Sequence, residues 1–165
     1  MEAYPAAVKK KTSKNQYPLH LAISEPSRRL SSDVVEMLIN TFPKAVQRQD
    51  CYGHLPLHHS CRKTGPEEQI IFEALIEAYP EGASVPDVRG MLPLHHACSL
   101  PAPVLEVVYE LIDAFPQGVL HRDKTHDESI RIMEGDHGGR YVAFLSFLSY
   151  PASLSLLLCR ILTMT

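Results

Sequence analysis

The sequence predicts an all-α chain of helix-loop-helix repeats, joined by short hairpins and stacked into a solenoid. Three observations predict this. A Pro-Leu-His segment occurs three times, at Pro18-Leu19-His20, Pro56-Leu57-His58 and Pro93-Leu94-His95. An Ala- or Thr-aromatic-Pro element occurs four times, ending in Tyr4-Pro5, Phe42-Pro43, Tyr79-Pro80 and Phe115-Pro116. The proline of each of the first three pairs precedes the next histidine by 15 residues (5 to 20, 43 to 58, 80 to 95), whereas the return count drifts through 23, 22 and 21. One half of the unit is locked in length and the other absorbs insertions, as a packed hairpin and a surface loop should.

Each element follows from local chemistry. The Pro-Leu-His segments read as short first helices with proline at the first helical position, where its missing N–H is harmless. Apolar residues recur at three- and four-residue intervals through 34–42, 70–79 and 104–115, the pattern of helices with one buried face. Asp33 and the pair Glu67-Glu68 lie near the starts of such second helices, where carboxylates suit the helix dipole. Each second helix should end at its aromatic, because proline disfavours helical geometry in the residue before it. From there to the next Pro-Leu-His the chain should be an extended hairpin. Leu19, Leu38, Leu57, Leu75, Leu94 and Leu111 are the expected core. No helix of this length buries its apolar face alone, so the units must stack.

Two copies are in close register. Asp50-Cys51-Tyr52-Gly53-His54-Leu55-Pro56-Leu57-His58-His59-Ser60 and Asp87-Val88-Arg89-Gly90-Met91-Leu92-Pro93-Leu94-His95-His96-Ala97 resemble the ankyrin repeat, whose signature runs D-x-x-G-x-T-P-L-H-x-A. The earlier copy matches only in Pro18, Leu19, His20 and Ala22, with Thr12 and Asn15 in the Asp and Gly places. The resemblance covers residues 1–125: a partial unit at 1–16, then units near 17–52, 53–89 and 90–125. Leu55, Leu92 and Tyr17 replace the family's threonine, so its hydroxyl cap is missing and the motif histidines must find backbone partners. The period is 36 to 38 residues rather than the family's roughly 33. Gly53 and Gly90 should take the tight turn, and Gly90→Val is expected to destabilise by about 1–3 kcal/mol.

The ends depart from the pattern. Glu2-Ala3-Tyr4-Pro5 repeats Glu77-Ala78-Tyr79-Pro80, so the chain is expected to begin inside a repeat of a longer protein. Residues 126–165 read as a degenerate terminal repeat or a hydrophobic tail. Within them 141–159 carry no charge between Arg140 and Arg160, which leaves a membrane segment or translated non-coding sequence as the other readings.

Composition bounds function. A formal net charge of −3 argues against a nucleic-acid binder. Cys51, Cys61, Cys98 and Cys159 lack CxxC spacing and no signal peptide opens the chain, which suits a cytoplasmic or nuclear setting. Lys9-Lys10-Lys11 with Lys14 resembles a weak nuclear-import cluster. The doublets His58-His59 and His95-His96, each near a cysteine, invite a zinc reading. His58 and His95 have a structural role in the motif, however, and Cys61 and Cys98 fall where Ile23 stands in the first unit. No metal and no cofactor are expected. Cys51 beside a histidine would be a conceivable nucleophile pair, but no orienting acid or oxyanion donor accompanies it and no phosphate loop is present, so no enzyme is expected.

The second-helix segments hold nine acidic residues and no basic ones, whereas the hairpin stretches hold nine basic residues and four acidic ones. In the ankyrin architecture the hairpin tips and first helices form the recognition surface. The resemblance therefore implies a protein or peptide partner, an acidic one by charge, contacted by Lys11, Arg48, Tyr52, His59, Arg89, His96 and Arg122. His59 and His96 enter this set because they occupy the motif's variable position. Pro18, Leu19, His20, Asp50, Gly53, Pro56, Leu57, His58, Asp87, Gly90, Pro93, Leu94 and His95 would hold the framework. The alternative is a spacer or scaffold segment of a larger, membrane-tethered protein. The chain is expected to be monomeric or part of a longer one.

Overall fold

The structure, a computed structural model, describes residues 7–24, 31–100, 103–121 and Lys124. The first six residues, Arg122 and the whole of 125–165 lie outside them, and so do the readings placed there. Among the described residues every regular element is helical. Three pairs follow in order: α1 (Pro18–Ser24) with α2 (Ser32–Thr41), α3 (Pro56–Ser60) with α4 (Pro66–Ala78), and α5 (Pro93–Cys98) with α6 (Leu105–Ala114). No described helix is long and apolar enough to cross a membrane.

Local sequence explains the boundaries. Proline opens α1, α3, α4 and α5. Ser31 caps α2, its hydroxyl accepting from the Asp33 amide at 3.3 Å. Phe42, Tyr79 and Phe115 end the second helices in one shared conformation (φ −142°, −154° and −146°). Each still donates its amide to the carbonyl four residues back, on Leu38, Leu75 and Leu111. The prolines that follow do not lead straight into an extended hairpin, as the sequence suggests. Each opens a 3-10 turn, Pro43–Gln47, Pro80–Ser84 and Pro116–Leu120, because proline's fixed φ also suits a helical turn once the preceding residue has broken the α path. An earlier 3-10 turn covers Ala7–Lys9.

The pairs lie side by side. Helix α1 packs on α3, α3 on α5 and α2 on α4, while α6 leans on the turn Pro80–Ser84. One continuous apolar core runs between them, from Leu19 and Ile23 through Leu57, Phe72 and Leu75 to Leu94, Val108, Leu111 and Ile112. Of the expected core leucines only Leu38 is not fully buried; Val35 fills that role in α2. Among the described elements α2 is flanked by a second helix on one side only, α4, so its outer turn keeps some access to solvent. Cys61 is buried and Cys98 half-buried, both as free thiols raised by desolvation, Cys98 to about 11. Neither is a nucleophile at neutral pH.

Candidate functional site

Among the described residues three hairpins, 10–17, 50–55 and 87–92, lie next to one another and present one edge. In the second, Asp50 accepts the amides of Tyr52 and His54 on Oδ1, both at 2.9 Å. In the third, Asp87 accepts those of Arg89 and Met91 at 2.8 and 2.9 Å. This is the turn chemistry for which a short carboxylate is suited. Gly53 and Gly90 complete the turns at φ +76° and +78°, where a side chain is strained. A Cβ on Gly53 would also stand 2.8 Å from the backbone nitrogen of Val88. The next hairpin is that close because the tips are laced together, Cys51 N–H to Lys14 carbonyl at 2.9 Å, Val88 to Tyr52 at 3.1 Å and Lys124 to Arg89 at 2.7 Å.

The Pro-Leu-His histidines cap the starts of the first helices. The amides of Tyr17, Leu55 and Leu92 donate to Nδ1 of His20, His58 and His95 at 3.3, 3.0 and 3.1 Å. With Nδ1 accepting, the ring proton sits on Nε2, which donates to the carbonyls of Arg48, Met91 and His121 respectively. Each ring thus ties the start of a first helix to backbone further along the chain. Burial pushes His58 down to about 3, helped by the neighbouring His96 and His54 rings, and it lowers His20 as well. These rings are neutral structural groups.

The expected contact residues divide. Lys11 is exposed and donates its Nζ to Asn15 Oδ1 at 2.6 Å. Arg48 is exposed. Tyr52 is 49% exposed at the tip of its hairpin. Half of the Arg89 side chain is exposed, with a guanidinium nitrogen 3.8 Å from Asp87 Oδ2. His59 is partly covered, and its Nε2 lies 3.2 Å from Asp50 Oδ2. His96 is a correction: expected on an open face, it is 2% exposed. Its Nε2–H donates to Asp87 Oδ2 at 3.0 Å, and the rings of His54 and His58 stand edge-on to it at 5.2 and 5.3 Å. Those neighbouring rings cover the position from the preceding unit. Burial takes both His59 and His96 down to about 4 against the pull of their aspartates.

Two further residues, one exposed and one mostly covered, join the edge without having been expected there. Val88, 61% exposed, sits beside Tyr52 through the tip-to-tip hydrogen bond. His54 places Nε2 3.3 Å from Asp87 Oδ2 and Nδ1 3.9 Å from Asp50 Oδ2. Its spacing from Asp50, four residues, and from His59, five, was visible in the sequence; its approach to Asp87 and His96 was not. Burial raises both aspartates, but the turn amides and the His59 or His96 ring outweigh it and hold the carboxyls below their usual range. The opposite face differs in sign. Glu36, Glu67, Glu73, Glu77, Glu106 and Asp113 are exposed on the second helices, and Glu110 is raised by burial and by the Glu73 charge. Compared with known proteins, the chain matches no family model, no curated protein and no solved structure.

Proposed function

We propose that the chain is a divergent ankyrin-type repeat array that binds an acidic protein or peptide along its hairpin edge and catalyses no reaction. The observation that carries this reading is the composition of that edge. Lys11, Lys14 and Arg89 are exposed on hairpins laced tip to tip, Arg48 is exposed just before the second hairpin and Lys124 is exposed and bonded to Arg89, with the apolar side chains of Tyr52 and Val88 beside them. A basic rim around an aromatic anchor is how a surface combines steering with contact area. The acidic second helices repel the same partner, so binding is confined to one side.

The test is fluorescence anisotropy with a labelled peptide rich in Glu and Tyr, against the full chain. Affinity should fall steeply from about 50 to about 300 mM salt. The triple reversal Lys11→Glu, Arg48→Glu and Arg89→Glu should abolish binding with the far-ultraviolet spectrum unchanged, whereas Glu77→Lys should not weaken it. Binding that survives the triple reversal sinks the reading. No binding at all favours a spacer segment.

A further inference from the structure

Between the second and third hairpins, two buried carboxylates and four imidazoles meet in one cluster. The side chains of Asp50 and Asp87 are 0% exposed. His54 lies between them, and His59 and His96 approach from α3 and α5, with the His58 ring 5.7 Å from that of His54. Arg89, half exposed and 3.8 Å from Asp87 Oδ2, is the permanent cation nearest to this pair among the described residues. Two desolvated anions without a buried cation make a costly arrangement unless something positive joins them.

The position of His54 says what would join. Its ring makes no aligned hydrogen bond to another described residue, although both nitrogens face carboxylate oxygens. His54 Nε2, Asp87 Oδ2 and His96 Nε2 all lie within 4.8 Å of one another, with 3.3 and 3.0 Å from the two nitrogens to the oxygen. Ligand atoms at about 2.0–2.2 Å around a tetrahedral ion stand roughly 3.4 Å apart. Asp87 is already fixed, because its other oxygen accepts two turn amides. Asp50 Oδ2 waits 3.9 Å behind His54 on the Nδ1 side, the place of the carboxylate that orients a metal-bound histidine.

We propose that His54 Nε2, Asp87 Oδ2 and His96 Nε2 bind one divalent transition ion of the zinc class, with Asp50 as the outer carboxylate. Two imidazoles and one carboxylate suit such an ion better than magnesium or calcium, which prefer all-oxygen shells. Ligation through Nε2 leaves the ring proton on Nδ1, which on His54 faces Asp50. Arg89, half exposed, must swing its guanidinium off Asp87 to leave that oxygen to the ion. The ion would pin two hairpins together.

The test titrates zinc, then cobalt, into the full chelator-treated chain by calorimetry and visible absorption. One equivalent should bind, cobalt should give the bands of a low-coordinate nitrogen-oxygen site, and zinc should raise the melting temperature. His54→Ala and His96→Gln should each weaken zinc binding by at least ~100-fold, whereas His59→Gln, which loses a bond to the outer carboxylate and an edge-on ring contact with His54, should cost at most ~10-fold. Because the His54 ring makes no aligned hydrogen bond to another described residue, His54→Ala should keep the parent's far-ultraviolet spectrum and separate lost binding from lost folding. Absence of binding, several weak sites that survive His54→Ala, a larger loss in His59→Gln than in His96→Gln, or equal competition by calcium would overturn the assignment.

Discussion

The first hairpin and the two that follow reach the same backbone by different means. In the first, Thr12 stands where the others have aspartate, and its hydroxyl accepts the amides of Lys14 and Gln16, both at 3.3 Å. Asn15 stands where the others have glycine, at φ +60°. The backbone bonds nevertheless coincide. Thr12 and Asn15 amides donate to Gln16 and Thr12 at 2.9 Å, as Asp50 and Gly53 donate to His54 and Asp50 at 2.9 and 3.0 Å. The difference lies in the second carboxylate oxygen. Asp50 and Asp87 have one to spare and use it to hold His59 and His96; a threonine has none. The turn motif therefore does two jobs in the later units, shaping the hairpin and organising the histidine cluster, and only one in the first.

Removing the turn acceptors should expose that difference most. Asp87→Ala strips two turn amides, one of them buried, and the buried His96 ring of their partner, an expected loss of about 3–5 kcal/mol in urea unfolding. Thr12→Ala, at an exposed turn with longer bonds, should cost about 1 kcal/mol. Equal losses would mean that the spare oxygen carries no weight. Next come the left-handed positions. Gly53→Ala meets both an unfavourable φ and the backbone of Val88, for an expected cost of about 2–4 kcal/mol. At the equivalent place, Asn15→Gly relieves φ strain but forfeits the Asn15 amide's 2.8 Å bond to the Gln49 carbonyl, and should shift stability by less than about 0.5 kcal/mol. A large change there would make Asn15 a specific lock rather than a tolerated substitute.

Acid should act last and most gradually. In the metal-free chain His58, His59 and His96 sit at about 3, 4 and 4 when folded, against 6.5 when free. The unfolded chain binds more protons between those values, so stability is complete above about pH 6.5 and declines as pH falls toward 4. The lowered aspartates add a further loss below their free value of 3.8. Urea midpoints measured from pH 7 to pH 4 should follow that descent, and His59→Gln should flatten it. A profile unchanged by that substitution would place the titrating groups elsewhere.

Much of this architecture was legible before any coordinates. The aromatic-Pro pairs marked the ends of three helices, and the prolines of Pro-Leu-His marked three starts, because these are constraints on φ, ψ and a missing N–H within a few residues. The Asp-x-x-Gly spacing marked two turns for the same reason. The 3-10 turns after each aromatic-Pro were not legible, since proline's φ is compatible with both an extended path and a helical one.

What sequence by itself determined, then, is everything set by short-range sterics and hydrogen bonding: where helices stop, where the chain reverses, and which side of each helix is apolar. Tertiary structure alone decided the environment of each polar side chain. His59 and His96 occupy one motif position, yet they differ in burial because the unit before His96 supplies His54 at a place where the unit before His59 supplies Gln16. Burial and electrostatics depend on atoms brought close through space by stacking, and no local pattern encodes which neighbour will arrive.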